Sequence, residues 1–232
     1  MIKNIKPISW PKGAHPLDQA HVWSAVPLEE PQEDFIKAWS IPDSRVCRTF
    51  PNSGGKTSVV MPVCILSAMM AFPGAMCYAT SGSERQVKEQ FFEQQVIPRV
   101  EPLKAKGWTI KKGDMKVEAP NGSTLLCYVC ADANKVEGFH GYWATDHKTG
   151  FRYYRPCVYF MDECKSIPDE VMNAVWRIKP DFLGAVSTPG YVMDHWFTKA
   201  INPDDLDAVV RQRRKRYGLP DPVSTEQALH LS

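Results

Sequence analysis

No apolar run in this sequence is long enough to cross a bilayer. The longest, Ser58 to Phe72, is 15 residues and contains Pro62, whereas a helical span needs about 20. Nor does a positively charged segment precede a short apolar core, as in a secretory leader. Cysteine is not arranged as a framework: seven residues, an odd number, are scattered along the 232-residue chain. That fits buried thiols in a reducing compartment rather than disulfide pairs. Cys127 and Cys130 have CxxC spacing but lie in an alternating run, Leu125-Leu126-Cys127-Tyr128-Val129. Positions three apart on a strand face opposite sides and cannot share a metal. A dominant charge sign is also missing: 28 Lys and Arg against 26 Asp and Glu leave +2, so any surface for a polyanion is local. Internal repeats are absent. With 44% apolar and 23% charged residues the chain is not intrinsically disordered. It is long enough to bury roughly 70% of its unfolded surface without a metal or disulfide.

Residues 1–44 are rich in proline and tryptophan and weakly periodic, apart from a short helix expected over Glu33 to Trp39. The pattern then sharpens. Val46 to Phe50 is β-prone and leads through Pro51-Asn52-Ser53-Gly54-Gly55 into an apolar helix, where Pro62 should remove a backbone bond and kink it. Ala75 to Thr80 reads as a second strand. Ser83 and Gln86 form a capping-box pattern for a helix carrying Val87, Phe91 and Val96, which Pro98 stops or kinks. Trp108 to Pro120 and Ser123 to Cys130 flank Asn121-Gly122, a type I′ hairpin signal. Residues 142–156 form an aromatic and basic insertion around Thr149-Gly150. Cys157 to Met161 is a continuous apolar run, as expected of a parallel strand buried on both faces. A helix starting near Pro168 and a strand over Phe182 to Val186 follow. Alternating strands and helices predict an α/β fold with a mainly parallel sheet.

Three strand ends carry the chemistry. Ser53-Gly54-Gly55-Lys56-Thr57 lies between a strand and a helix, where glycines let backbone N–H groups cradle phosphates at a helix N-terminus. Lys56 would reach the β- and γ-phosphates, and the Thr57 hydroxyl would ligate Mg²⁺. The full pattern wants glycine where Phe50 stands. Asp162-Glu163 ends the buried run. Carboxylates there are costly unless a cation or hydrogen bonds satisfy them. Mg²⁺·ATP does so, with Asp162 holding the metal and Glu163 orienting the attacking water; the alternative is an acidic pair opening a helix. Ser187-Thr188, ending the next strand, could contact the γ-phosphate or the water, or simply open the Pro189-Gly190 turn.

These residues together resemble the ATPase domain of the large terminase subunit, the DNA-packaging motor of tailed bacteriophages. The resemblance spans about Arg45 to Gly190. It rests on the Ser53–Thr57 loop, Ala79-Thr80-Ser81, Glu137-Gly138-Phe139-His140-Gly141, Phe160-Met161-Asp162-Glu163-Cys164-Lys165 and Val186-Ser187-Thr188-Pro189-Gly190. It implies a RecA-like additional-strand P-loop NTPase with a mainly parallel central sheet flanked by helices and a β-hairpin addition. It also implies Mg²⁺ and ATP as cofactors, and Ser187 and Thr188 as the coupling motif. The expected activity is ATP-driven movement of double-stranded DNA into a procapsid, by a ring of usually five subunits on a portal, with a small terminase subunit as partner. The expected setting is the host cytoplasm, with no membrane. Departures are Asn52, where many members carry a basic residue that neither Arg45 nor Arg48 replaces, and an adenine-contacting glutamine for which Gln19 and Gln32 are the candidates. His140 falls where relatives have a basic residue, making it a phosphate sensor or an ordinary loop histidine.

The expected organisation is a 1–44 segment on the adenine side, an ATPase core over 45–200 and a basic helix or linker over 201–232. The last segment is too short for the family's nuclease domain, so no nuclease activity is expected; Asp204, Asp205 and Asp207 follow Asn202-Pro203 as helix-opening acids. Arg211, Arg213, Arg214, Lys215 and Arg216 would either contact DNA phosphates independently of sequence or form a solvated helix end. The insertion holding Trp143, His147, Lys148, Arg152, Tyr153, Tyr154 and Arg155 could face DNA, offer Arg152 or Arg155 to a neighbouring subunit, or be a plain surface hairpin. The rival readings are a helicase-like translocase and an ATP-binding switch without productive turnover.

Overall fold

A computed structural model of the chain describes residues 8–129, 136, 139–147, 149–189 and 195–201. Cys130, Glu137, Gly138, Lys148, Gly190, the 202–207 acidic stretch and the Arg211–Arg216 cluster lie outside the described residues. The chain divides into two units, Met1–Gly190 and Tyr191–Ser232. In the second, a helix spans Trp196–Ile201.

The first unit is built on seven strands: β1 (Ser44–Thr49), β2 (Met76–Ser81), β3 (Thr109–Lys111), β4 (Lys116–Glu118), β5 (Thr124–Val129), β8 (Cys157–Asp162) and β9 (Phe182–Ser187). Their order is β1-β9-β8-β2-β5-β4-β3. The first five in that order run parallel, and β4 and β3 add antiparallel. A separate antiparallel pair, β6 (Tyr142–Thr145) and β7 (Arg152–Arg155), is the expected hairpin addition. Chain order and sheet order differ because β9 inserts between β1 and β8, which is the additional strand. Every residue of β8 and β9 is buried. Val158, Phe160, Phe182 and Val186 join the main core, and the alternate residues Tyr159, Met161, Leu183 and Ala185 are buried as well. Strands covered on both faces explain the unbroken apolar runs.

The helix after β1 is apolar all round, and ten of the eleven residues of α3 (Met61–Ala71) are buried, as expected of a central helix. It opens with a π turn, Lys56–Val60, in which Val60 N–H bonds Gly55 O at 3.0 Å. Pro62 stands in the first turn of α3, just past this change of bonding pattern. Its α-helical acceptor would be Ser58 O. That carbonyl instead accepts from the Arg99 guanidinium at 2.7 Å, so the proline leaves no orphan. The same guanidinium donates to Trp23 O at 2.5 Å and Gln95 O at 2.7 Å. It thereby ties the start of the loop helix to α1 (Pro16–Trp23) and to the π-helical Gln86–Val96 segment. Replacing Arg99 by methionine removes the guanidinium's bonds to all three carbonyls. We expect a loss of about 2–3 kcal/mol, read as a fall in melting temperature of roughly 5–10 °C; an unchanged melt would show that the tie carries no stability.

Other local expectations change. α1 was not evident in the weakly periodic start, while α2 (Glu30–Trp39) extends the expected short helix and buries Phe35, Ile36 and Trp39. Ser83 and Gln86 do not form a reciprocal capping box. Gln86 N–H donates to the serine hydroxyl at 3.3 Å, but the glutamine carbonyl accepts from Ser83 and Ser81 hydroxyls at 2.8 and 3.0 Å. Pro98 does not stop the helical run: it falls in the first turn of α4 (Ile97–Val100), which follows directly on the π-helical segment. The Asn121-Gly122 turn is not type I′, because only Gly122 has positive φ, +81°. Gly122 N–H closes on Ala119 O at 3.0 Å and Ala119 N–H on Ser123 O at 2.8 Å. Pro120, with its fixed φ, occupies the position after Ala119 that favours proline in a type I turn, and the left-handed glycine completes a bulged three-residue loop.

Candidate active site

Parallel strands end together, so their C-terminal residues share one edge. Register pairs Thr49 with Ser187 and Ser81 with Asp162. The three strand ends carrying the motifs are therefore adjacent: loop strand β1, hydroxyl strand β9, acidic strand β8. The loop turns with Ser53 and Gly55 at φ of 63° and 74°. A Cβ on Gly55 would lie 2.5 Å from Gln32 Nε2, and one on Gly54 3.0 Å from Pro51. At Gly55 the left-handed φ strains any side chain, and at Gly54 Pro51 would have to give way to one.

Thr57 Oγ1 donates to Asp162 Oδ2 at 2.5 Å, and Lys56 Nζ lies 2.8 Å from Glu163 Oε1. Asp162 is buried, and burial raises its pKa, partly offset by the Thr57 hydroxyl and Lys56. Burial also pushes Glu163 upward, but its bond to Lys56, the charges of Lys56 and Lys165, and the Thr188 hydroxyl outweigh that and hold it below the usual carboxylate range. Glu163 sits at φ 50°, a left-handed conformation uncommon for a residue with a side chain. Its other oxygen, Oε2, accepts from Thr188 Oγ1 at 3.2 Å and Ser187 Oγ at 3.4 Å. Lys165 Nζ donates to Thr188 Oγ1 at 2.6 Å and stands 3.8 Å from Glu163 Oε2.

A cleft of about 280 Å³ adjoins the loop, lined by Ser53 to Ser58 and, from the segment after β2, by Arg85, Glu89, Gln90, Gln94 and Gln95. The residues fit a magnesium polyphosphate. A hydroxyl and a buried carboxylate in contact are hard oxygen donors suited to Mg²⁺, and Lys56 with the helix N-terminus suits an anion. Among the described residues no cluster of three or more His, Cys, Asp or Glu could hold a metal by itself.

Other candidates fall elsewhere. Gln32 Nε2 donates to Gly54 O at 3.1 Å while its carbonyl accepts from Glu29 N–H at 3.0 Å, so it supports the loop from behind. Gln19 is bonded to Gly13 O. Arg48 donates to Pro31 O, and Arg45 lies 5.3 Å over the Trp176 ring. His140 is exposed, between Phe139, whose carbonyl meets Cys157 at the start of β8, and Gly141, which abuts Asp181 just before β9. That is the opposite end of strands roughly 17 Å long, so the loop and His140 are not brought together. Arg155 donates to Gly74 O at 2.6 Å, ahead of β2, and Arg152 lies 5.1 Å over the Trp143 ring. Both arginines also belong to that far edge. Sequence reasoning missed Arg85 and Lys165; a cation two residues beyond Glu163 was the available signal for the second.

The strand insertion, the left-handed glycine loop and the facing acidic pair define a RecA-like P-loop fold. No protein-family model and no curated protein matches the sequence. Solved structures do. The large terminase of bacteriophage HK97 aligns over 85% of this chain and 42% of its own, at TM-score 0.59 and 14% identity. The large terminase of a thermophilic bacteriophage in complex with ATP-γ-S aligns over 82% and 49%, at TM-score 0.51 and 16% identity. The ATPase domain of the Thermus phage P74-26 large terminase aligns over 76% and 70%, at TM-score 0.51 and 14% identity. The chain thus spans about half or less of the first two proteins, and shares the fold of the part of each that it aligns with.

Proposed function

We propose that this chain is the ATP-hydrolysing motor domain of a viral terminase, moving double-stranded DNA into a procapsid. The observation that supports it most is the meeting of Thr57 with Asp162 and of Lys56 with Glu163 beside Ser187 and Thr188. Thr57 and Asp162 would hold Mg²⁺, which with the triphosphate supplies an electrophilic γ-phosphorus. Ser53, Gly54, Gly55 and Lys56 bind and neutralise the phosphates, and Glu163 orients water for in-line attack. Ser187 and Thr188 touch the Glu163 carboxylate, so a change there can pass along β9. In this reading residues 1–44 support the nucleotide side, 45–200 form the core and 201–232 supply basic DNA contacts through Arg211, Arg213, Arg214, Lys215 and Arg216. Arg152 or Arg155, on the hairpin at the edge of the main sheet opposite the loop, would act only on a neighbouring subunit of a ring. Small subunit, portal and host cytoplasm complete the proposal.

The Lys56–Glu163 contact gives weight to a second reading, an ATP-binding switch whose catalytic pair stays latched. Steady-state ATP hydrolysis with and without linear double-stranded DNA separates the two. Turnover stimulated by DNA is the expected result. Binding of Mg²⁺·ATP without turnover, at concentrations high enough for assembly, would favour the switch.

A further inference from the structure

We propose that Lys165 is a positioning residue: it fixes the direction of the Thr188 hydroxyl and thereby holds Oε2 of Glu163, leaving Oε1 to act on water. The inference rests on the reading of Glu163 given above. After β8 the left-handed Glu163 turns the chain into a short 3₁₀ turn, Cys164–Ser166, which carries Lys165 back over the end of β9. There its backbone N–H meets Ser187 Oγ at 3.5 Å and its ammonium meets Thr188 Oγ1 at 2.6 Å.

An ammonium group has donors and no acceptor. Thr188 Oγ1 therefore accepts from Lys165, and its single proton is left for the oxygen 3.2 Å away, Glu163 Oε2. Remove the ammonium and the hydroxyl is free to rotate. The two carboxylate oxygens are thus held unequally. Oε1 is bonded to Lys56 Nζ, a group with a second use, since an anion in the loop competes for it. Oε2 is held by two hydroxyls, one of them fixed in turn by Lys165, and none of the three residues lines the loop cleft. When Lys56 is drawn away, Oε1 loses its partner while Oε2 keeps its own, so the carboxylate stays in place with one lone-pair face open. The lysine side chain is 36% exposed, against 12% for Glu163. It adds little to the core, so its replacement leaves the fold intact.

The test uses the full chain with Lys165→Met, Lys165→Arg, Thr188→Val and the Lys165→Met/Thr188→Val double variant. Lys165→Met should lower kcat about tenfold through lost orientation, with KM and the dissociation constant for ATP-γ-S within about twofold of the parent. Lys165→Arg should restore most of the rate. The double variant should be no slower than Thr188→Val, because Lys165 acts through that hydroxyl. Melting of the nucleotide-free protein should show the same non-additivity on single losses of about 2–4 °C. Additive losses in both readouts overturn the proposal. Wild-type turnover by Glu163→Gln would overturn the reading of Glu163 and this role with it. Its inactivity beside normal turnover by Lys165→Met overturns the Lys165 role alone.

Discussion

Glu163→Gln is expected to lower ATP turnover about 1,000-fold, the scale of a lost general base, while tightening nucleotide binding several-fold. The two effects have separate causes. The amide cannot take up a proton or polarise water as the carboxylate does, so the chemical step slows. Binding improves because Lys56 is no longer held in a 2.8 Å ion pair whose side chains are 13% and 12% exposed. Breaking such a sheltered pair to free the ammonium is costly, and the variant removes that cost before the ligand arrives. Titration with a fluorescent nucleotide, beside single-turnover hydrolysis, reads both quantities. Weaker binding with unchanged turnover would sink the assignment. So would a loss of both together, which would point to a collapsed loop.

Phe160→Ala should destabilise the first unit by about 4 kcal/mol, from lost burial plus the cavity left behind, and lower its melting temperature by roughly 10 °C. Phe160 is fully buried in the strand that ends in the acidic pair. Its ring lies 5.8 Å from Phe35 and 6.3 Å from Trp39. It rests on Gly184 so closely that a Cβ there would sit 2.6 Å from the ring. The glycine in β9 exists to admit that ring, and nothing smaller refills the space. Phe151→Ala is the control: at 69% exposure it should change the melt by less than about 0.5 kcal/mol. A Phe160→Ala loss under about 1 kcal/mol would mean that α2 does not pack on β8 as described.

The sequence was most legible where one residue type has one physical use. Gly54-Gly55 followed by Lys56-Thr57 announced a glycine turn between a strand and a helix. The unbroken apolar run before Asp162-Glu163 announced a strand covered on both faces. It was least legible where distant residues decide a local outcome. Pro62 reads as a defect until Arg99, 37 positions on, supplies the hydrogen bond that its missing N–H cannot. His140 reads as part of a motif series. Chain order, however, does not say at which end of a strand a loop emerges, and Phe139 and Gly141 place it beside the starts of β8 and β9. Asn121-Gly122 carries a strong turn signal, yet Pro120 shifted the turn by one residue because a fixed φ constrains the chain more than a preference for φ above zero.

Sequence alone thus determined the strand-and-helix alternation, the residue types in the loop and the acids at the end of β8, since local backbone preference and burial periodicity act over a few residues. Only the tertiary structure decided that β9 lies between the loop strand and the acidic strand, which brings Thr57 onto Asp162 across 105 positions of chain. It also decided that Glu163 is held by Lys56 on one oxygen and by the Thr188–Lys165 pair on the other. Those contacts depend on strand order and register, and these follow from packing the whole sheet rather than from any segment read by itself.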